Sequence, residues 1–377
     1  MSEEEPQHSN PEAGMHSPSS KKKQMLPIII AVVVGVIVIA VGAYAGLHSK
    51  SKGSGSTSMY GNLPLGQNAS PTPAPVNRDT SGLSGMPCDH PNRRPIGVML
   101  AGDPINRPLS GFSTADMVFE LPVLVSDVTR LTAVYQCGEA PEMGSVRSAR
   151  HDYLYLLDGI DGIMAHWGGS YWALNMIAAG QFQTMNALQN PNNAFFRKDN
   201  LPAPYNGFTT YARLWDTLQK LGYRTETQFK GYDFKDDAPA SDRPTGGTLT
   251  INWPGAFKVS YEYDSATNRY VRYWAGVKQV DGYDKKVIAP SVVAVMRATN
   301  TYMDGPGGYN NVAIEGTGDL TVYEDGKAIT GKWTKDINNK KDPVHFLDAQ
   351  GKPITFTRGQ VWVTAVEPTI SVTWTGK

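Results

Sequence analysis

The spacing of apolar positions divides the chain into unlike stretches. Residues 26–47, "LPIIIAVVVGVIVIAVGAYAGL", carry no charged side chain. As a helix the run spans roughly 33 Å, enough to cross the hydrocarbon core of a bilayer. It exceeds the roughly 7–15 apolar residues of a cleaved signal peptide and begins after a polar tail, which favours a retained transmembrane helix. Residues 1–25 read as a disordered tail, rich at first in Glu, Ser, Pro and His without periodicity. Residues 48–87, with "SKGSGSTS" and "SPTPAPVNRDTSG", read as a Gly/Ser/Pro-rich tether.

Beyond the tether the pattern predicts an α/β domain over 88–234. "IGVML" (96–100), "MVFEL" (117–121) and "RLTAVYQ" (130–136) are short, Val- and Leu-rich runs bounded by Gly, Pro, Asp and Ser, as strands are. Ala149, Tyr153, Leu156, Leu157 and Ile160 then recur at helical spacing, and "GIMAHW" (162–167) reads as a buried strand. "YWALNMIAAG" (171–180) reads as a helix. A further helix runs from Tyr211 to Leu221, with Tyr211, Leu214, Trp215 and Leu218 on one face and Gly222 as its stop. Over 248–377 helical periodicity fades and strands with tight turns predict a mostly β second domain. "VSYEYDSATNRYVRYW" and "LTVYEDGKAITGKW" read as hairpins, the second turning at Asp325-Gly326. Tyr261, Tyr263, Tyr270 and Tyr273 alternate as side chains packing a sheet face do.

Charge adds a sign and an orientation. Lysine plus arginine, 35, balances aspartate plus glutamate, 35, so no global basic field points to nucleic acid. Lys21, Lys22 and Lys23 precede the apolar span while Lys50 and Lys52 follow it, a bias that favours a cytoplasmic N-terminus and an extracytoplasmic remainder. That places the two cysteines, Cys88 and Cys137, in an oxidising compartment, where a disulfide is the expected state. Two cysteines do not make a structural zinc site, and His90, His151, His166 and His345 are too scattered to define a metal site. No cofactor signature is present.

Candidate chemistry concentrates in "GSVRSARHDYLYLL" (144–157). Ser148 stands where a helix N-cap is expected, which would aim the first-turn N–H groups at a site shared with Arg147 and Arg150. Such a site favours phosphate or carboxylate. The competing reading is a structural network with Asp127, Asp152 or Glu120. In "AHWGGSYWAL", Gly168 and Gly169 permit a tight turn and Ser170 can cap the next helix. Ser170 and His166 could also serve a hydrolase, but "GGSYW" lacks the second glycine of the G-x-S-x-G elbow. The loop "LPAPYNGFT" (201–209) presents Tyr205 and Asn206, either toward the same cleft or as a plain connection.

The ordered series "RPLSGFSTADMVFEL", "VTRLTAVYQ", "GSVRSAR", "HWGGS" and "APYNGFT" resembles the YerB-like envelope lipoproteins, a two-domain family of unknown function. The resemblance runs from about Arg94 to Gly222, and "GDLTVYEDGKAITGKWTK" with "GQVWVTAVEP" is similar to that family's C-terminal domain. It implies an extracytoplasmic protein and points to Arg130, Arg147, Ser148, Arg150, His166, Gly168, Gly169, Ser170 and Asn206; it supplies no activity. This chain departs from the family's pattern in three places. A spanning helix replaces the lipid-bearing cysteine, Ser145 stands where proline is usual, and Tyr205 where histidine is usual.

Three readings follow. The first is an envelope protein anchored in the cell membrane through residues 26–47, binding a phosphorylated glycan or lipid at Arg130, Arg147 and Arg150. The second is a non-catalytic scaffold that recruits a protein partner through the β-rich domain. The third is an envelope hydrolase or transferase using His166, Ser170 or Glu120.

Overall fold

Runs in which every position is apolar require a sheet covered on both faces, and the strands of the first half form one. The computed structural model describes residues 79–376, except 125–127, 304, 306 and 307. The expected tail, membrane span and most of the tether lie outside the described residues, as does Asp127. Among the described residues no helix is long and apolar enough to cross a membrane.

The strands of the two larger sheets are β1 (Ile96–Ala101), β2 (Met117–Pro122), β3 (Thr129–Tyr135), β4 (Ile163–His166) and β5 (Thr184–Asn186) from the first half. The second half gives β6 (Gly247–Ile251), β7 (Val259–Asp264), β8 (Arg269–Trp274), β9 (Val277–Lys278), β10 (Val292–Arg297), β11 (Gly316–Glu324), β12 (Lys327–Lys335), β13 (His345–Asp348), β14 (Val361–Val366) and β15 (Val372–Gly376). The helices are α1 (His151–Gly159), α2 (Tyr171–Ala178) and α3 (Tyr211–Lys220).

A ten-stranded mixed sheet runs in the order β13-β12-β11-β10-β14-β2-β3-β1-β4-β5, so both halves of the sequence share it. The join is β14, "VWVTAV", which lies parallel to β2 on one side and to β10 on the other. All six of its residues are buried, as expected of a central parallel strand. One face of the sheet packs with α3 and a five-stranded sheet, order β9-β8-β7-β6-β15, around Val98, Leu131, Tyr261 and Trp362. The other packs with α1 around Val134, Tyr153, Leu157 and Phe119. β7 and β8 alternate buried with more exposed positions, the pattern of a sheet with one solvated face. Tyr261, Tyr263 and Tyr270 point inward, while Tyr273 sits on the outer face against Glu262.

The predicted 325–326 turn joins β11 to β12, with Asp325 at φ 51° and Gly326 at φ 70°. Two successive left-handed residues define the mirror-image turn that matches strand twist, and Asp-Gly supplies it at low strain. Cys88 and Cys137 are joined by a disulfide. Closing its 49-residue separation stabilises the fold by about 4 kcal/mol on the chain-entropy account.

One expected boundary is wrong. The chain does not enter a helix at Ser148: Arg150 is still extended (φ −128°, ψ 147°), it is the N-cap residue of α1, and no side chain caps that helix. The cause is strand-like pairing upstream. Val146 bridges Leu100, the Arg147 N–H donates to the Met99 carbonyl, and Ala149 bridges Gly169. These bonds keep 146–149 extended until the β1 edge is left behind. The apolar spacing assigned to Ala149 therefore belongs to a strand-like segment, and helical periodicity starts with Tyr153.

Candidate functional site

The two helix starts singled out in the sequence lie side by side. The Trp167 N–H donates to the Arg147 carbonyl, the Ala149 N–H to the Gly168 carbonyl, and the Ser170 N–H to the Ala149 carbonyl. "RSA" and "WGGS" thus form a short parallel ladder that places the beginning of α1 beside that of α2. Gly168 makes the turn at φ 65°, a conformation that glycine adopts freely. Its N–H is held by Asn186 Oδ1 at 3.0 Å. Ser170 caps α2, its hydroxyl accepting from the Ala173 N–H at 3.2 Å.

Arg130 joins this place from β3. Its register partner is Ala101, the last residue of β1, and β1 runs parallel to β4. Side chains alternate along a strand, so Arg130 shares the face of Val134, and His166 shares that of Met164; both are on the α1 side. The cluster therefore occupies the crevice beyond the carboxyl ends of β1 and β4, where ligands gather in α/β sheets.

Three guanidiniums meet there. Arg130 and Arg150 are 6% and 7% exposed, and Arg147 is half-buried. Arg130 Nη1 donates to the Ser148 carbonyl at 3.1 Å, and Arg150 Nη1 to the Ala149 carbonyl at 3.0 Å. The Nε of each of the three is buried without a hydrogen-bond partner. Burial, with the like charges of Arg150 and Arg147, pushes the Arg130 guanidinium down to about 9, which still leaves it charged at neutral pH. Arg150 is lowered chiefly by burial. Two guanidiniums sit over aromatic rings: Arg147 lies 4.9 Å from the centre of the Tyr205 ring and Arg150 4.6 Å from that of Tyr309.

The expected network with Asp152 and Glu120 does not form. Asp152 pairs with His151 at 3.0 Å. Glu120 lies fully buried elsewhere, accepting two hydrogen bonds from Arg272 Nη2 (2.7 and 2.9 Å), one from Trp362 Nε1 and one from Thr129 Oγ1. It faces the five-stranded sheet, because Glu120 and Arg130 occupy opposite faces of the large one. Among the described residues no carboxylate lies within ion-pair distance of Arg130, Arg147 or Arg150. A cleft of about 780 Å³ at the far end of α1 provides the contrast. Its arginines, Arg94 and Arg224, both pair with Asp161.

The residues offered for hydrolysis do not assemble. His166 is fully buried and its Nδ1 donates to the Gly168 carbonyl at 2.6 Å, since a carbonyl can only accept. Burial pushes its imidazole down to about 4, so the ring is neutral and Nε2 is a bare acceptor, buried without a partner. Ser170 has no bond to His166 among the described residues; its hydroxyl is taken by the α2 cap. Asn206 accepts from Arg197, while its neighbour Tyr205 reaches Arg147. Tyr309, and Asn311 beside His151, were not legible as site residues. They reach the site from the short strand Asn310–Val312 and the residue before it, some 160 positions later in the chain, and no local motif marks them.

A mixed sheet built by two sequence segments, with an arginine crevice at one end, defines the class to which comparison then gives a family. Residues 81–224 match the N-terminal domain, and residues 249–363 the C-terminal domain, of a family described as "Protein of unknown function (DUF3048)". The chain belongs to this family. The Bacillus subtilis (strain 168) protein named "Putative lipoprotein YerB" is 29% identical over 280 residues, covering 73% of this chain and 81% of that protein. The crystal structure of the Bacillus subtilis YerB protein superposes with a TM-score of 0.70 at 25% identity, over 78% of this chain and 100% of that one.

Proposed function

We propose that the protein is an extracytoplasmic component of the cell envelope, held at the membrane through residues 26–47, that binds a phosphate- or carboxylate-bearing ligand at Arg130, Arg147 and Arg150. The observation that carries this reading is the absence of a carboxylate partner for any of the three among the described residues. Withdrawing a charge from water costs several kcal/mol per ion unless a counter-charge offsets it. An anion seated among the guanidiniums would supply that offset and would complete the open Nε positions with charge-assisted hydrogen bonds. The envelope location is supported by the lipoprotein name of the Bacillus relative and by the disulfide, which persists in oxidising compartments.

The test is thermal stabilisation of the purified chain by phosphorylated envelope glycan or lipid precursors. A ligand at a hundred times its Kd stabilises the native state by about 2.7 kcal/mol. The paired change Arg147→Gln with Arg150→Gln should abolish the shift. An undiminished shift in that variant would remove the site from consideration.

A further inference from the structure

We infer that the ligand of the arginine crevice is a phosphoryl group with more than one negative charge, a phosphomonoester or a diphosphate, and that Tyr205 and Tyr309 are positioning residues that aim Arg147 and Arg150 at it. This rests on the anion-binding reading given above and narrows it to one chemistry.

Charge makes the first argument. Two of the three guanidiniums are buried and the third is half-buried, and one N–H of Arg130 and one of Arg150 are taken by the carbonyls of Ser148 and Ala149, neutral groups that offset no charge. One carboxylate would leave two of the three cations uncompensated. A phosphomonoester carries about −1.5 to −2 at neutral pH, and a diphosphate carries more charge and spreads its acceptor oxygens over a wider span.

Orientation makes the second. A ring stacked on a guanidinium attracts it through the ring's negative face and occupies the direction in which it hydrogen-bonds least. Tyr205 and Tyr309 hold Arg147 and Arg150 in this way, at 4.9 and 4.6 Å. Each ring restrains its guanidinium from one side, and Nη1 of Arg150 is already held by the Ala149 carbonyl. The Nε of each side chain is buried and unbonded, as an edge reserved for a ligand would be. The two rings come from different parts of the sequence. Tyr205 lies in the segment matched by the N-terminal family domain and Tyr309 in that matched by the C-terminal one. The crevice is complete only when both segments are folded together.

The experiment uses the full chain in detergent micelles, titrated with inorganic phosphate, inorganic pyrophosphate or acetate at matched ionic strength, with melting temperature as the readout. The Arg147→Gln/Arg150→Gln chain controls for the general stabilising effect of phosphate salts. The expected result is a saturable rise with phosphate or pyrophosphate, absent in the double variant, and no rise with acetate. A larger response to pyrophosphate assigns a diphosphate, and a larger response to phosphate a monoester. Tyr309→Leu should weaken the better anion roughly tenfold, and Tyr309→Phe, which keeps the ring, should restore it. Acetate acting as strongly as phosphate would overturn this inference but leave an anion site standing. Failure of all three anions would overturn both. Equal affinity in Tyr309→Leu and the unaltered chain would overturn the positioning role.

Discussion

Glu120 and Arg272 form an ion pair with both side chains fully buried, linking β2 of the large sheet to β8 of the small one at 2.7 and 2.9 Å. Trp362 Nε1 and Thr129 Oγ1 complete the carboxylate, and the Arg272 guanidinium lies over Trp274 and Trp362. Glu120 therefore acts in the join between sheets. Glu120→Gln should destabilise the fold by about 3–5 kcal/mol, because it strands a buried guanidinium. Chemical denaturation would measure the loss. Anion affinity of the remaining folded protein should be unchanged, and a selective loss of affinity without loss of stability would move Glu120 back to the ligand.

His166 makes acid stability predictable. Its folded value near 4 lies below the ordinary value of 6.5 because burial disfavours the imidazolium. The unfolded chain thus binds the proton first, and the contribution is fully present above about pH 6.5 and lost as pH falls toward 4. The shift corresponds to about 3 kcal/mol over that window. His166→Gln should flatten this part of the stability-pH profile. A profile that keeps its slope there would show that another group carries it.

Reduction should separate the disulfide from the arginine crevice. Replacing Cys88 and Cys137 by Ser should lower stability by about 4 kcal/mol, seen as a lower denaturation midpoint. Phosphate affinity measured well below that midpoint should stay within error of the unaltered chain.

The cap of α2 allows a smaller, local prediction. Ser170→Ala removes the acceptor of the Ala173 N–H and should cost about 1 kcal/mol. A much larger kinetic or binding effect than this stability change would argue that the hydroxyl touches a ligand after all.

What the sequence made legible was local. The apolar runs at 96–100, 117–121 and 130–136, the Asp325-Gly326 turn, the Ser170 cap and the helix after Thr210 follow from neighbours a few residues apart, and the structure contains each of them. Arg147 and Arg150 could be proposed together because they flank one short segment, whereas Arg130, on another strand, joined them through the family resemblance. Ser148 misled because the N-cap preference of serine was outweighed by pairing with Met99, Leu100 and Gly169, partners that no local window contains. Glu120 misled for a similar reason. Its chemistry is set by Arg272 and Trp362, 152 and 242 positions away, and by which face of β2 it occupies. The shared sheet was hidden too, since β14 comes near the end of the chain yet lies between β10 and β2.

The most direct test of the account is a crystal structure of the protein grown in inorganic phosphate. The account predicts phosphate oxygens about 2.7–2.9 Å from guanidinium nitrogens of at least two of Arg130, Arg147 and Arg150, with Tyr205 and Tyr309 still stacked. Arginines closed instead on a carboxylate such as Asp127, with no anion at saturating phosphate, would contradict it.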